Sequence, residues 1–341
     1  VTGGAGFIGT NLAARWLRDG HRVTVLDNFT RPGSRINAEW LQAHGGGRLA
    51  VVEADAADAA AIGRAVAGVD AVFHFASQVA VTTSLIRPRL DFESNLLSTF
   101  NVLEAMRESA PEAVLIFTST NKVYGALDDV AVVDRGDRYA YAHVAGISET
   151  QPLDFHSPYG CSKGAADQYV RDYARVFNLR TVVFRMSCIY GAHQLGSEDQ
   201  GWVAHFIYSA LLGLPVTIFG DGKQVRDLLF ADDLVDAFLA AFTRIDTARG
   251  EVFNIGGGEH QTLSLRELTQ WIGARVPLQV QREAGRVGDQ KIYVSDTAKA
   301  RTHLGWTPVV GVDEGLARLW AWGEAHRDLV ERHVRQRRAA T

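Results

Sequence analysis

Short apolar runs alternate with stretches of helical periodicity through the first half of the chain. Arg22–Asp27, Leu49–Glu53, Ala71–Phe75, Val114–Thr118 and Thr181–Arg185 are rich in Val, Ile, Leu and Phe without strict polar alternation. That is the pattern of strands covered on both faces. Between them, Leu12, Ala13, Trp16 and Leu17 fall on one helical stripe that Gly20 closes, and Phe92–Glu108 repeats the pattern with Leu96, Leu97, Phe100, Leu103 and Met106. Strands alternating with helices predict an α/β fold, a Rossmann-type doubly wound parallel sheet. After Arg185 the pattern loses its regularity. Gly191–Gly201 and Gly220–Arg226 read as loops, Glu251–Ile255 as a strand returning to the sheet, and the remainder as mixed helices and short strands. We therefore expect a sheet domain from residues 1–186 plus about 228–257, and a smaller, discontinuous α/β domain from 187–227 plus 258–341. Val1-Thr2-Gly3 already lies inside what reads as a first strand, so further residues of that strand are expected to precede it.

Composition narrows the function classes. With 341 residues, 47% hydrophobic and 22% charged, the chain resembles an ordinary globular protein. A net charge of −4 gives no electrostatic case for a nucleic-acid or membrane partner. The basic tail Arg332–Arg338 reads as a solvated helix end, where cations are favoured. Cys161 and Cys188 show no Cys-x-x-Cys spacing, and the histidines show no metal-ligand spacing. These features predict no disulfide scaffold, no metal and a reducing cytoplasm. No signal peptide or membrane-length apolar run is visible in the sequence.

Residues 3–9 read Gly-Gly-Ala-Gly-Phe-Ile-Gly. Gly3, Gly6 and Gly9 suit a tight turn, close approach of backbone to a pyrophosphate, and close helix–strand packing, with the amides of Phe7 and Ile8 opening the next helix toward the phosphates. Any turn can carry such glycines, but Asp27 follows at a strand end, at the spacing expected for a carboxylate that accepts both adenosine-ribose hydroxyls. It favours NAD over NADP, although Arg31 could accommodate a 2′-phosphate. Asp55 reads either as an acceptor for the adenine amino group or as a helix N-cap. Phe75-Ala76-Ser77-Gln78 follows a strand at the carboxyl edge of the sheet.

Ser157-Pro158-Tyr159 opens a helix with a cap and an early proline, followed by the apolar positions Ala166, Tyr169, Val170, Tyr173 and Phe177. Tyr159 and Lys163 are four apart and share a face. A phenol with pKa near 10 is a poor base at neutral pH. A neighbouring ammonium and a positive nicotinamide would lower it, so that Tyr159 could take a hydroxyl proton while hydride leaves the same carbon.

The glycine loop, Asp27, the segment Phe117–Gly125 and the Tyr159/Lys163 pair together resemble the extended short-chain dehydrogenase/reductase family over nearly the whole chain. The resemblance implies that Thr120 bonds the reacting hydroxyl. It also implies a cofactor site of Gly3, Gly6, Phe7, Ile8, Gly9, Asp27, Asn28, Arg31, Asp55, Ala56, Phe75, Ala76, Gln78, Asn95 and Thr118, together with Tyr159 and Lys163. Dehydratases of the family carry Asp-Glu after the Thr; this chain has Asn121-Lys122, which disfavours 4,6-dehydration. The segments Ala76–Ser84, Ser119–Gly125, Leu153–Tyr169, Asp199–Trp202 and Gly222–Asp227 are similar to the CDP-tyvelose (CDP-paratose) 2-epimerase branch. That similarity implies inversion at C2 of a nucleotide-diphosphate sugar, with a CDP-sugar favoured and NAD regenerated. Inversion at C4 of a UDP-hexose or UDP-uronate, and a non-catalytic NAD sensor, are the alternatives. Thr120, Asn121, Gln194, Gln200, Lys223, Gln224, Arg226 and Arg286 are the candidate substrate contacts, with Trp202 shaping the pocket or packing in the core. Cys188 stands where many family members have a substrate-contacting Asn; it reads as a packed thiol rather than a nucleophile. The family pairs through helices, so a homodimer or homotetramer is expected.

Overall fold

The computed structural model describes residues 1–285 and 290–340, the last four by backbone alone. Five parallel strands carry the first half: β1 (Val23–Asp27), β2 (Leu49–Glu53), β3 (Ala71–His74), β4 (Val114–Thr120) and β5 (Arg180–Met186). β6 (Val252–Ile255) returns from the second half and pairs with β5. Thr2 bridges in parallel to both Leu26 and His74, so the first residues take the central sheet position between β1 and β3. The order across the sheet is β2–β1–Thr2–β3–β4–β5–β6. The reversal at Thr2 is the switch point where open parallel sheets bind ligands, beyond the carboxyl ends of their strands. β3 to β6 are buried almost throughout, as their apolar runs require. β2 departs from that expectation: as the edge strand its residues alternate between half-buried and exposed.

Helices cover both faces: α1 (Phe7–Arg18), α2 (Ser34–Gly45), α3 (Ala59–Val66), α4 (Ser98–Ser109), α5 (Ser157–Val176) and α6 (Ala231–Thr243). Leu12, Phe73, Ile116, Phe184, Phe238 and Phe253 form one buried layer; Leu103, Met106, Leu115, Ala166 and Val170 form the other. The single helix expected over Phe92–Glu108 is interrupted. Pro88–Phe92 is helical, Glu93–Leu97 is a π-turn, and α4 follows. The extra residue in a π-turn reorients neighbouring side chains, here burying Asn95 toward the sheet edge.

The second half adds a four-stranded assembly in which Val225–Phe230 pairs with Cys188–Tyr190, Thr262–Ser264 and Ile292–Tyr293. Val225 and Arg226, expected in a loop, are therefore in a strand, and Val216–Phe219 forms another. The C-terminal helices are α7 (Val312–Ala325) and α8 (Arg327–Ala340). α8 is more than a solvated end. Val330 and His333 are each 1% exposed, and the His333 ring nitrogen Nε2 lies 3.2 Å from the Gly196 carbonyl.

Candidate active site

The glycine loop is shaped by backbone contact. Gly3 is left-handed at φ +62, and a Cβ there would lie 2.7 Å from the Ala76 amide. A Cβ at Gly9 would lie 2.5 Å from Gly4 Cα, so α1 packs onto the turn only through a glycine. Gly6 caps α1 without a side chain, and the first amide bonded back along the helix is that of Thr10, to Gly6. The amides of Phe7, Ile8 and Gly9 precede it and face outward with the positive end of the helix dipole. This cradle fits a dinucleotide pyrophosphate.

Asp27 ends β1 with its carboxylate buried, accepting from the Ala5 amide at 3.1 Å and the Phe29 amide at 2.9 Å. Burial raises its pKa, with the two amides and Arg31 opposing. Asn28 donates to Asp55 at 2.9 Å, so these two candidates meet beyond the carboxyl end of β1. Asp55 does not cap α3; Asp58 does, accepting from Ala60 and Ala61. Ala56 is buried, and its carbonyl accepts from Asn101. Arg31 is exposed, yet the charges of both Asp27 and Tyr159 reach it.

Phe75 and Ala76 continue β3 against the glycine loop. The Gln78 amide donates to Asn95 Oδ1 at 2.8 Å, and Asn95 donates to Ser162 Oγ at 3.0 Å. Asn95 thus joins the loop after β3 to α5 rather than standing free.

α5 starts at Ser157, whose hydroxyl accepts from the Gly160 amide at 3.3 Å. It sets Tyr159 and Lys163 against the end of β4, both buried. Tyr159 stands near enough to Thr120 for the threonine hydroxyl to favour the phenolate, and both side chains are buried. Lys163 Nζ donates to the Thr118 carbonyl at 2.5 Å and lies 4.3 Å from the centre of the Phe117 ring. Burial pushes the Lys163 ammonium down to about 7, with Asp167 and Asp91 opposing. The expected lowering of the phenol is not a property of the chain alone. Burial pushes Tyr159 up to about 12, with Asp91 raising it further and Thr120 and Arg31 lowering it. Burial is the main cause, and Lys163, which donates to the Thr118 carbonyl, is not among the groups that lower the phenol.

Asn121 is buried beside Thr120, and Lys122 Nζ donates to Gln290 at 2.9 Å. In the second half, Arg226 lies close enough for its charge to act on the thiol of Cys188, with Trp202 packed in the same cluster. Burial pushes that thiol up to about 12, so it is packed and not nucleophilic. Gln194 donates to the Ile189 carbonyl and packs on Gly201. Gln200 holds a turn with Ser197. Lys223 is paired with Asp134 at 2.7 Å, and Gln224 donates to the Phe219 carbonyl at 2.7 Å. Arg286 lies outside the described residues. The sequence reading missed Asp91 and Gln290. Neither carries a spacing signal, since each acts through partners distant in the chain.

A Rossmann sheet, a glycine cradle at its switch point and a buried Tyr–Lys pair beside a Thr define a dinucleotide-dependent enzyme. Residues 1–256 match the NAD dependent epimerase/dehydratase family, and the chain belongs to it. CDP-paratose 2-epimerase from Salmonella typhi is 40% identical over 332 residues, covering 94% of this chain and 98% of that protein. UDP-glucose 4-epimerase from Mycolicibacterium smegmatis is 34% identical over 322 residues, covering 93% and 96%. Among solved structures, a double mutant of the dTDP-glucose 4,6-dehydratase DesIV from Streptomyces venezuelae, determined with NAD bound, superposes with a TM-score of 0.83 at 31% identity over 98% of each chain. The chain is an enzyme of this family, and NAD is its cofactor.

Proposed function

We propose that this enzyme inverts C2 of a CDP-linked sugar of the paratose/tyvelose type. The observation that carries the reading is the buried Tyr159–Thr120 pair followed by Asn121-Lys122. That turn offers a base and a hydroxyl donor but none of the carboxylates that eliminating water requires. Thr120 orients the sugar hydroxyl, Tyr159 takes its proton, and Lys163 holds the nicotinamide ribose. NAD held there would supply the acceptor and donor for the C2 hydride, and its positive ring would lower the phenol toward neutrality. The 2-keto sugar then turns over and is reduced on its other face as Tyr159 returns the proton. The 40% identity to a CDP-paratose 2-epimerase supports the carbon and the base.

The cofactor contacts we assign are the glycine loop, Asp27, Asn28, Arg31 and Asp55 at the adenosine end, and Thr118, Tyr159 and Lys163 at the nicotinamide end. Arg226 is assigned to the sugar-nucleotide diphosphate, where a planar guanidinium suits bidentate contact. The cofactor domain is residues 1–186 plus about 228–257, supported by the pairing of β6 with β5. A homodimer through α4 and α5 is supported by their outward apolar side chains. Phe100 meets Tyr169 edge-on at 6.0 Å, and Phe100, Tyr169, Val176 and Phe177 are all exposed. A reducing compartment is supported by two unpaired cysteines, and no helix among the described residues is long and apolar enough to cross a membrane.

Inversion at C4 is the second reading, favoured by the 34% identity to a UDP-glucose 4-epimerase and by the same residues serving either carbon. Proton NMR of CDP-tyvelose, UDP-glucose, a GDP-sugar and an ADP-sugar after incubation distinguishes them. C2 inversion without net NADH is expected. C4 inversion supports the second reading, and an unchanged configuration in all four sugars overturns both. Tyr159→Phe should keep NAD and abolish turnover.

A further inference from the structure

Asp91 is completely buried, and among the described residues no cation is hydrogen-bonded to it. Its Oδ1 accepts from Gln78 Nε2 at 2.8 Å, and its Oδ2 accepts from the Ser162 hydroxyl. Gln78 lies on the loop after β3; Ser162 lies on α5, directly before Lys163. Asn95, in the π-turn one residue past the helix that carries Asp91, bonds the same two partners from the other side. Three buried side chains, Asp91, Asn95 and Ser162, thus close a ring through the side chain and backbone amide of half-buried Gln78, between the carboxyl edge of the sheet and the helix that carries the base. A buried carboxylate with only neutral donors is costly, so it is not explained by stability.

We propose that Asp91 is a positioning residue of the active site, which ties the loop after β3 to α5 and supplies a negative charge to the surroundings of Tyr159 and Lys163. This rests on the assignment of Tyr159 as the base. The groups around the pair are few. Tyr159 faces Thr120, Asp91 and Arg31; Lys163 faces Asp91, Asp167 and His74, with Arg185 neutralising Asp167. Asp167 being already paired, Asp91 is the uncommitted anion among them. Its charge favours the protonated form of both Tyr159 and Lys163. With Asp167 it opposes the burial that lowers Lys163, and it holds the proton on the phenol until the cofactor's positive charge offsets it.

Asp91→Asn isolates the charge from the ring. The amide oxygen accepts from Gln78, the amide nitrogen donates to Ser162, and the Ser162 hydroxyl turns to the Tyr159 carbonyl already 3.2 Å away. The kcat–pH profile is measured with CDP-tyvelose and with UDP-glucose, alongside NAD content. The expected result is normal NAD content and both limbs moved about one pH unit toward acid, so that kcat above pH 8 falls roughly tenfold with KM unchanged. A profile that stays in place, or activity lost equally at all pH values, overturns the proposal. Ser162→Ala cuts the tie and leaves the charge, and serves if Asp91→Asn does not fold. It should lower kcat without moving the profile acidward, and an unchanged kcat overturns the tether. Tyr159→Phe separates the two readings. If it retains turnover, the base assignment fails; if it is inactive while Asp91→Asn moves nothing, only the role of Asp91 fails.

Discussion

Arg185 grips Asp167 through two parallel bonds, Nε to Oδ2 at 2.8 Å and Nη2 to Oδ1 at 2.9 Å, with both side chains sealed from water. Asp167 stands one turn beyond Lys163 on α5, and Arg185 is on β5. The Arg185 fork also reaches the Tyr124 hydroxyl at 3.1 Å, which donates to Asn254 at 2.7 Å. The catalytic helix is therefore fixed to β5, to the turn after β4 and to β6 by one charged centre.

Breaking that centre by Asp167→Asn leaves a buried guanidinium without its counter-ion. We expect a loss of about 3–5 kcal/mol, read as a shift in the urea midpoint. Unchanged stability would mean that Tyr124 and water suffice to hold Arg185.

The two glycines Gly9 and Gly63 should respond oppositely to alanine. At Gly9 the new methyl would meet Gly4 Cα at 2.5 Å and the Gly3 carbonyl oxygen at 2.6 Å, both of them backbone. We expect Gly9→Ala to lose bound NAD and to unfold at lower temperature. Gly63 lies inside α3 with nothing within 4 Å of a Cβ. Gly63→Ala should stabilise by about 0.5–1 kcal/mol with NAD content unchanged. Calorimetry of both proteins checks the pair.

Much of this was legible in the sequence because it is local. The strands follow from apolar runs, the cradle from glycine spacing, and the Tyr–Lys pair from a four-residue separation. What was not legible depends on contacts across the fold. The break in the helix over Phe92–Glu108 comes from Asn95 turning inward to Gln78 and Ser162, 17 and 67 residues away. The strand at Val225 forms because Ile292 and Ser264 pair with it. The raised phenol of Tyr159 reflects burial and the charge of Asp91, and no spacing encodes either.

Asp27 should set the cofactor's preference. Its two oxygens hold the loop amides of Ala5 and Phe29, and on the cofactor site we assign, the same charge would repel a 2′-phosphate. We expect Asp27→Asn to weaken NAD binding tenfold or more and to narrow the gap to NADP, because Arg31 remains beside it. Fluorescence titration with both cofactors measures the ratio. An unchanged ratio would show that Asp27 acts on the loop alone.

Two buried histidines predict how stability falls in acid. His74 lies between Thr2 Oγ1 at 2.6 Å and Thr99 Oγ1 at 3.1 Å. The Thr99 hydroxyl donates to the Asn95 carbonyl, so its oxygen accepts from His74 Nε2, and Nδ1 accepts from Thr2. The neutral ring is fully bonded, and burial with Lys163 nearby holds its pKa down at about 3. His193, packed against Trp40 at 4.2 Å and Trp322 at 5.3 Å, is held at about 4 by burial, with His326 and His44 adding to the effect. Both folded values lie below the unfolded value of 6.5, so the unfolded chain binds more protons between them. Their contribution is therefore complete above pH 6.5 and is lost as pH falls toward 4 and then 3. Each pKa unit is worth about 1.4 kcal/mol, so each histidine costs about 2 kcal/mol between pH 7 and pH 5. His193→Gln, which keeps a polar group of similar size but cannot titrate, should lose about 2 kcal/mol less over that interval in urea unfolding. Equal losses in the two proteins would show that His193 protonates in the folded state as readily as in the unfolded chain.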